Sequence, residues 1–147
     1  MLYIASDHGG FKLKEELNKF FKREKIKVTD LGPKAFDPSD DYPDYAALVG
    51  QQVSANPKKD AGILMCRSGQ GVCIAANKFK GVRAGLAWNP AVARASRNDD
   101  MTNILCLPSD YITVEAARSI VKNWLGTPYS KDPRHIRRVN KISALER

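Results

Sequence analysis

Short apolar runs alternate along the chain with longer stretches in which apolar residues recur every three or four positions. Leu2 to Ser6, Ile26 to Leu31, Ala61 to Met65, Gly81 to Ala87 and Ile104 to Leu107 have the length and content of strands. Between them, Leu13, Leu17, Phe20 and Phe21 line one side of a helix from about Phe11 to Glu24, and Leu48, Val49 and Val53 mark the buried side of another from Tyr45 to Ala55. An alanine-rich segment after Gly71 suits a third helix, and Pro90 suits the first turn of a fourth that runs to about Asn98. Val114, Ala117, Ile120, Val121, Trp124 and Leu125 predict a long fifth helix ended by Gly126 and Pro128. Ile136, Val139, Ile142 and Leu145 predict a short terminal one. Strands that alternate with helices need crossover connections, so the expected fold is α/β, with a five-stranded, mainly parallel sheet covered on both faces.

In such a sheet ligands sit at the carboxyl ends of the strands, where loop amides and the first N–H groups of helices lack partners. Asp60 to Lys78 reads as strand, tight loop and helix N-terminus, and its loop holds Cys66, Arg67, Ser68, Gly69, Gln70 and Gly71. Asp7-His8-Gly9-Gly10 comes after the first strand in the same way. An acidic, proline-broken loop through Asp37, Pro38, Asp40, Asp41 and Pro43 is long enough to be functional. The polar loop Asn98 to Asn103 precedes the fifth strand, so topology does not place it beside the other two within one subunit; it could instead serve a neighbouring subunit.

Length and composition narrow the classes. At 147 residues, with 43% hydrophobic and 27% charged residues, the chain reads as one globular domain. No apolar run approaches the roughly 20 residues of a membrane span, and Met1-Leu2-Tyr3 enters a strand directly, so a cytoplasmic, soluble protein without membrane partners is expected. Cys66, Cys73 and Cys106 form no Cys-x-x-Cys pair, which argues for a reducing compartment and against zinc. Cys73, in a helix, and Cys106, in an apolar strand, read as core thiols. The formal charge of +8 favours anionic partners. Much of it lies in Lys12, Lys14, Lys19, Lys22, Arg23, Lys25 and Lys27, a solvated helix face; with Phe11, Phe20 and Phe21 in or beside the apolar periodicity, nucleic acid is not an expected partner. The glycine turn after the first strand is not a Gly-x-Gly-x-x-Gly fingerprint, so no nicotinamide cofactor is expected.

Taken together, Asp7-His8-Gly9-Gly10-Phe11, Asp41-Tyr42-Pro43-x-Tyr45-Ala46, Cys66-x-Ser68-Gly69-x-Gly71 with Ile74 to Lys78, Gly81 to Ala84, Thr102-Asn103 and Arg134-His135-x-x-Arg138-Val139 resemble the sugar-phosphate isomerase family of ribose-5-phosphate isomerase B and the galactose-6-phosphate isomerase subunits. The resemblance spans nearly the whole chain. It implies a Rossmann-like three-layer α/β/α sandwich and metal-free, cofactor-free interconversion of aldose and ketose phosphates. It also implies a homodimer, or a dimer of dimers, in which a C-terminal segment from about residue 130 to 147 serves the site of the other subunit.

Moving a carbonyl between C1 and C2 requires a base for the carbon-bound proton and stabilisation of the enediolate. The resemblance makes Cys66 the base and Asp7 and His8 ligands of the sugar and its phosphate. The helix start near Gly71 and the Arg67 side chain are positive features beside the thiol. Ser68 can move protons between the two substrate oxygens, and Gly69 and Gly71 are expected to let loop amides approach the ligand, with Arg67 and Gln70 completing the substrate-binding loop. Arg134 and Arg138, four residues apart, share a helical face suited to forking onto one phosphate. By itself Asp7 could simply cap the first helix, and the two arginines could be a solvated basic tail.

The chain also departs from the family pattern. Asp99 stands where the family has the histidine that opens the sugar ring, Asp100 where it has a substrate-contacting asparagine, Asp110 where it has a phosphate-binding arginine, and Arg67 where it has a glycine. Three readings result: a ribose 5-phosphate to ribulose 5-phosphate isomerase, an isomerase of another aldose or aldose phosphate, or a sugar-phosphate-binding protein without turnover.

Overall fold

In the computed structural model, which describes residues 1–146, the chain folds as the alternation predicts. Its elements are β1 (Leu2–Ser6), α1 (Phe11–Arg23), β2 (Thr29–Asp30), α2 (Tyr42–Ala55), β3 (Ala61–Cys66), α3 (Gln70–Ala76), β4 (Ala84–Leu86), α4 (Pro90–Asp99), β5 (Ile104–Pro108), α5 (Val114–Gly126) and α6 (Pro133–Ser143). The five strands form one sheet in the order β2-β1-β3-β5-β4, and every pairing is parallel, not merely most of them. The central strands are continuous apolar runs because both of their faces are covered.

Side chains alternate across the sheet with the period of two that a strand imposes. Ile4, Ile63, Met65, Leu105 and Leu107 pack against α1, α4 and α5. Tyr3, Ala5, Leu64, Cys66 and Cys106 pack against α2 and α3 on the other face. Trp124 is fully buried, and its indole N–H donates to Thr102 Oγ1 at 2.9 Å, so the largest side chain of α5 is satisfied inside the core. Arg97 lies 4.4 Å from the ring centres of both Trp124 and Tyr129 and donates to the Tyr129 hydroxyl at 2.8 Å, which fastens the segment after α5 to α4. Among the described residues no helix is long and apolar enough to cross a membrane.

The edges differ from the sequence reading. The second strand contracts from Ile26–Leu31 to Thr29–Asp30, and the fourth from Gly81–Ala87 to Ala84–Leu86, because each is an edge strand with one neighbour. Asn77 partly supplies the missing neighbour of β4: its side chain accepts from the Ala84 amide and donates to the Ala84 carbonyl, both at 2.9 Å. On α2 the buried positions are Ala46, Val49, Gly50 and Val53, whereas Leu48 is 43% exposed. The helix turns Gly50 inward because the Phe79 ring occupies the space a Cβ would need. In α6 only Val139 is buried; Ile136 and Ile142 face outward, as does Leu145 just beyond the helix. Arg147, the last residue of the 130–147 segment, lies outside the described residues.

Lys14 corrects the reading of α1 as a helix with all its lysines in solvent. It is fully buried, and its ammonium donates to Asp30 at 2.7 Å and to the more exposed Glu15 at 3.2 Å. Burial alone would raise the Asp30 carboxyl, but hydrogen bonds from Lys14, the Gly32 amide and Asn18 outweigh it and hold the group below its ordinary 3.8. A carboxyl depressed in the folded state stabilises the fold above about pH 3.8, and that contribution is lost as pH falls through the folded value. Asp30→Asn leaves the buried ammonium with only the more exposed Glu15 as a charged partner and should lower stability by about 3 kcal/mol. Urea denaturation at pH 7 and pH 3 checks it, with the difference between native and variant shrinking at the lower pH.

Candidate active site

Register brings the first two loops together. Ser6 pairs with Met65 across β1 and β3, so Asp7 and Cys66 leave the sheet side by side at its carboxyl edge. Cys66 is 5% exposed and points to the α2 and α3 face. The two loops touch: a Cβ on Gly9 would fall 2.5 Å from the Arg67 side chain, and one on Gly10 would fall 2.7 Å from the Met65 carbonyl oxygen. A third loop, after β5, stitches them. The Ser109 hydroxyl donates to the carbonyls of Gly9 (2.8 Å) and Cys66 (2.9 Å), and its amide donates to Cys66 as well. Ser109 is not among the candidates from sequence, although its place directly after the apolar run Ile104 to Leu107 is the signal that could have found it.

Each candidate on this edge has a defined neighbourhood. The buried Asp7 carboxylate accepts from the Gly10 amide at 3.1 Å, closing the turn into α1. Ser68 Oγ accepts from the Gln70 amide at 3.3 Å, at the entrance of α3. His8 Nδ1 lies 2.7 Å from Asp40 Oδ1, and that hydrogen bond raises the imidazole above its ordinary 6.5. Arg67 Nη1 lies 3.6 Å from Asp110 Oδ2, with the Asp110 amide on the Arg67 carbonyl at 2.9 Å, so the two departures from the family pattern face each other across the rim. Both are well exposed, and such a pair contributes little to stability. Beside them a groove of about 610 Å³ runs past Gly9, Lys12, Ser109 and Asp110.

Asp7, His8 and Asp40 are, among the described residues, the trio whose potential ligand atoms converge, within 4.8 Å of one another. Within the trio His8 Nδ1 is hydrogen-bonded to Asp40 Oδ1, and Asp7 Oδ1 accepts from the Gly10 amide.

The loop glycines also meet steric demands inside the protein. Gly69 has φ +72°, and a Cβ there would lie 2.5 Å from Leu86 and 3.0 Å from the Leu107 backbone. At Gly71 it would enter the Tyr42 ring, 2.6 Å away. Both glycines are required by contacts within the protein, whatever ligand the loop takes.

Asp99, Asp100, Arg134 and Arg138 are not on this edge. Ile104 pairs with Gly62, four residues before Cys66, so the loop ahead of β5 lies about 13 Å along the strands from the thiol, at the amino edge. Hydrogen bonds between Asn98 and the 128–130 segment bring α6 to the same edge. There Asp99 Oδ1 sits 3.6 Å from His135 Nδ1, and Arg134 is held at 2.8 Å by Asp132, whose carboxyl it pulls down to about 2. Arg138, one helical turn on, makes no ion pair among the described residues.

The family model described as Ribose/Galactose Isomerase matches residues 2–142. The chain belongs to the ribose/galactose isomerase family. It is 46% identical to a probable ribose-5-phosphate isomerase B of Mycoplasma pneumoniae, over 99% of this chain and 95% of the relative. It is 40% identical to ribose-5-phosphate isomerase B of Escherichia coli, over 97% and 94%. The crystal structure of ribose-5-phosphate isomerase B from Mycoplasma genitalium with bound ribulose-5-phosphate superposes with a TM-score of 0.95 at 44% identity, covering 99% of this chain and 95% of that one. The Rossmann-like sandwich expected of this family is therefore the fold observed.

Gly69→Ala should cost at least about 2 kcal/mol, since it combines a left-handed backbone with a Cβ pressed on β5. A drop in thermal midpoint checks it, and a variant as stable as the native chain would refute the packing account of this glycine.

Proposed function

We propose that the chain is an aldose–ketose isomerase that interconverts ribose 5-phosphate and ribulose 5-phosphate through an enediolate. The observation that carries this is the buried Cys66 at the carboxyl end of β3, level with Asp7 at the end of β1, in a chain similar over nearly its whole length to ribose-5-phosphate isomerases B. Cys66 as thiolate takes the proton from C2 of the open-chain aldose, the charge passes to the oxygen on C1, and the thiol returns the proton to C1 to give the ketose. Ser68 carries the hydroxyl proton between the two oxygens. Amides of the Arg67 to Gly71 loop face the enediolate, and Asp7 and His8 hold the sugar and its phosphate.

The remaining candidates act on this substrate through a homodimer. Asp99, Asp100, Arg134 and Arg138 lie at the opposite edge of their own sheet from Cys66, so they serve a site only when a second copy presents that edge to the first. Arg134 and Arg138 then take the phosphate, with Arg134 exchanging Asp132 for it. Asp100 contacts the sugar. Ring opening falls to the Asp99 carboxylate with the His135 imidazole beside it.

Proton exchange at C2 of ribose 5-phosphate should proceed with the native chain and fall about 10³-fold in Cys66→Ala. Absence of exchange on every pentose and hexose phosphate would overturn the isomerase reading. Neither Cys66→Ala nor Arg138→Ala alone should turn over efficiently. Mixed in equal amounts they should regain about a quarter of native activity, because random pairing makes half of the dimers mixed and each of those has one intact site. No recovery on mixing would refute the shared site.

A further inference from the structure

We propose that Asp40, in the loop before α2, is a positioning residue that fixes the His8 ring and holds it as a cation facing an anionic oxygen of the substrate. The inference rests on the isomerase reading and adds to it a residue outside the strand-end loops. One carboxylate oxygen, Asp40 Oδ1, receives both the His8 amide at 2.9 Å and the ring Nδ1 at 2.7 Å, so the backbone and the side chain of His8 are tied to a single point. The Asp40 side chain is 7% exposed, and its second oxygen is buried without a hydrogen-bond partner, so its charge acts mainly on His8, with the Tyr45 phenol as its other neighbour. Phe36 meets the imidazole edge-on, with ring centres 6.4 Å apart, which limits rotation of the ring. With Nδ1 committed, Nε2 is the nitrogen left for a ligand.

The charged groups around His8 act in both directions. The hydrogen bond from Asp40 raises its basicity most, burial opposes this, Asp7 adds to the rise, and Arg67 lowers it. Asp37, held down mainly by Ser39, also feels the imidazole, and the Tyr45 phenol on α2 is pushed up first by burial and then by Asp40. The balance is a raised imidazole. Its link to Asp40 is complete below about pH 6.5 and is lost as pH climbs through the raised folded value. In the three loops of the carboxyl edge the other cation, Arg67, faces Asp110. His8, with its raised imidazole, and Lys12 at the start of α1 are therefore the basic groups this edge offers to a phosphate.

The test is an NMR titration of the His8 ring in the dimeric protein, with and without inorganic phosphate, in the native chain, Asp40→Asn and Asp40→Glu. Asp40→Asn should move the His8 midpoint to lower pH and weaken phosphate binding at His8 about tenfold at pH 7, while Asp40→Glu restores part of both. With ribose 5-phosphate, KM of Asp40→Asn should rise by a similar factor with a much smaller fall in kcat, and the pH at which KM rises should move down with the His8 midpoint. An unmoved midpoint, or a moved midpoint with unchanged phosphate binding and KM, overturns the proposal. A native chain inert on every sugar phosphate would instead sink the isomerase reading, and the phosphate titration would still decide the role of Asp40.

Discussion

Parallel pairing of β1 with β3 is the constraint on which the site depends. Because Ser6 stands opposite Met65, the next residue on each strand, Asp7 and Cys66, leaves the sheet at the same level. Two turns then have to share the space of one, which is possible only where Gly9 and Gly10 have no Cβ. Ser109 ties the carbonyls of both turns together from the third loop. A one-residue slip between β1 and β3 would also turn the Ala5 and Leu64 faces over and expose the core. The hydrophobic pattern that stabilises the sheet thereby sets the relative position of the catalytic candidates.

The same directionality separates the other half of the functional residues. In a parallel sheet one edge collects the loops that leave strands and the opposite edge collects the loops that enter them. Asp99, Asp100 and α6 belong to the second group, and the contacts of Asn98 with the segment after α5 keep them there. A domain of this construction carries its two groups of candidate residues facing away from each other. If they belong to one site, association of two copies is the economical way to bring them together, and the outward-facing Ile136 and Ile142 on α6, with Leu145 just beyond it, are apolar surface suited to it.

Much of this architecture is legible in the sequence because buried parallel strands are continuous apolar runs and because Asp7, His8, Cys66 and Ser68 fall where such runs end. The positions that sequence misplaces have physical reasons. Lys14 occupies a core position in the spacing Leu13, Leu17, Phe20 and Phe21, yet its charge argues for solvent. The partner that reverses that argument, Asp30, sits on an edge strand sixteen residues away. Leu48 is more apolar than Gly50, but Phe79 decides which of them faces inward. Asp40 acts through bonds across loops, and no local pattern reports those. Gly69 and Gly71 stand in the expected loop, and the Leu86, Leu107 and Tyr42 atoms around them add a reason for glycine that sequence does not report.

The departures from the family pattern are coupled, which bears on how the pocket handles an anion. An aspartate at position 110 alone would place a negative charge beside an incoming phosphate. Arg67 opposite it returns a positive charge to the same rim, so the pair is close to neutral as a unit. Attraction must then come from groups whose charge is not cancelled in place. Asp40 is itself an anion, but its carboxylate is nearly buried and hydrogen-bonded to His8, where it raises the imidazole. The Arg67–Asp110 pair contributes little net charge to the rim. Under the proposed reaction a phosphate therefore gains more from lying against His8 than from the rim, with the opposite end of the sugar left for the Cys66 loop.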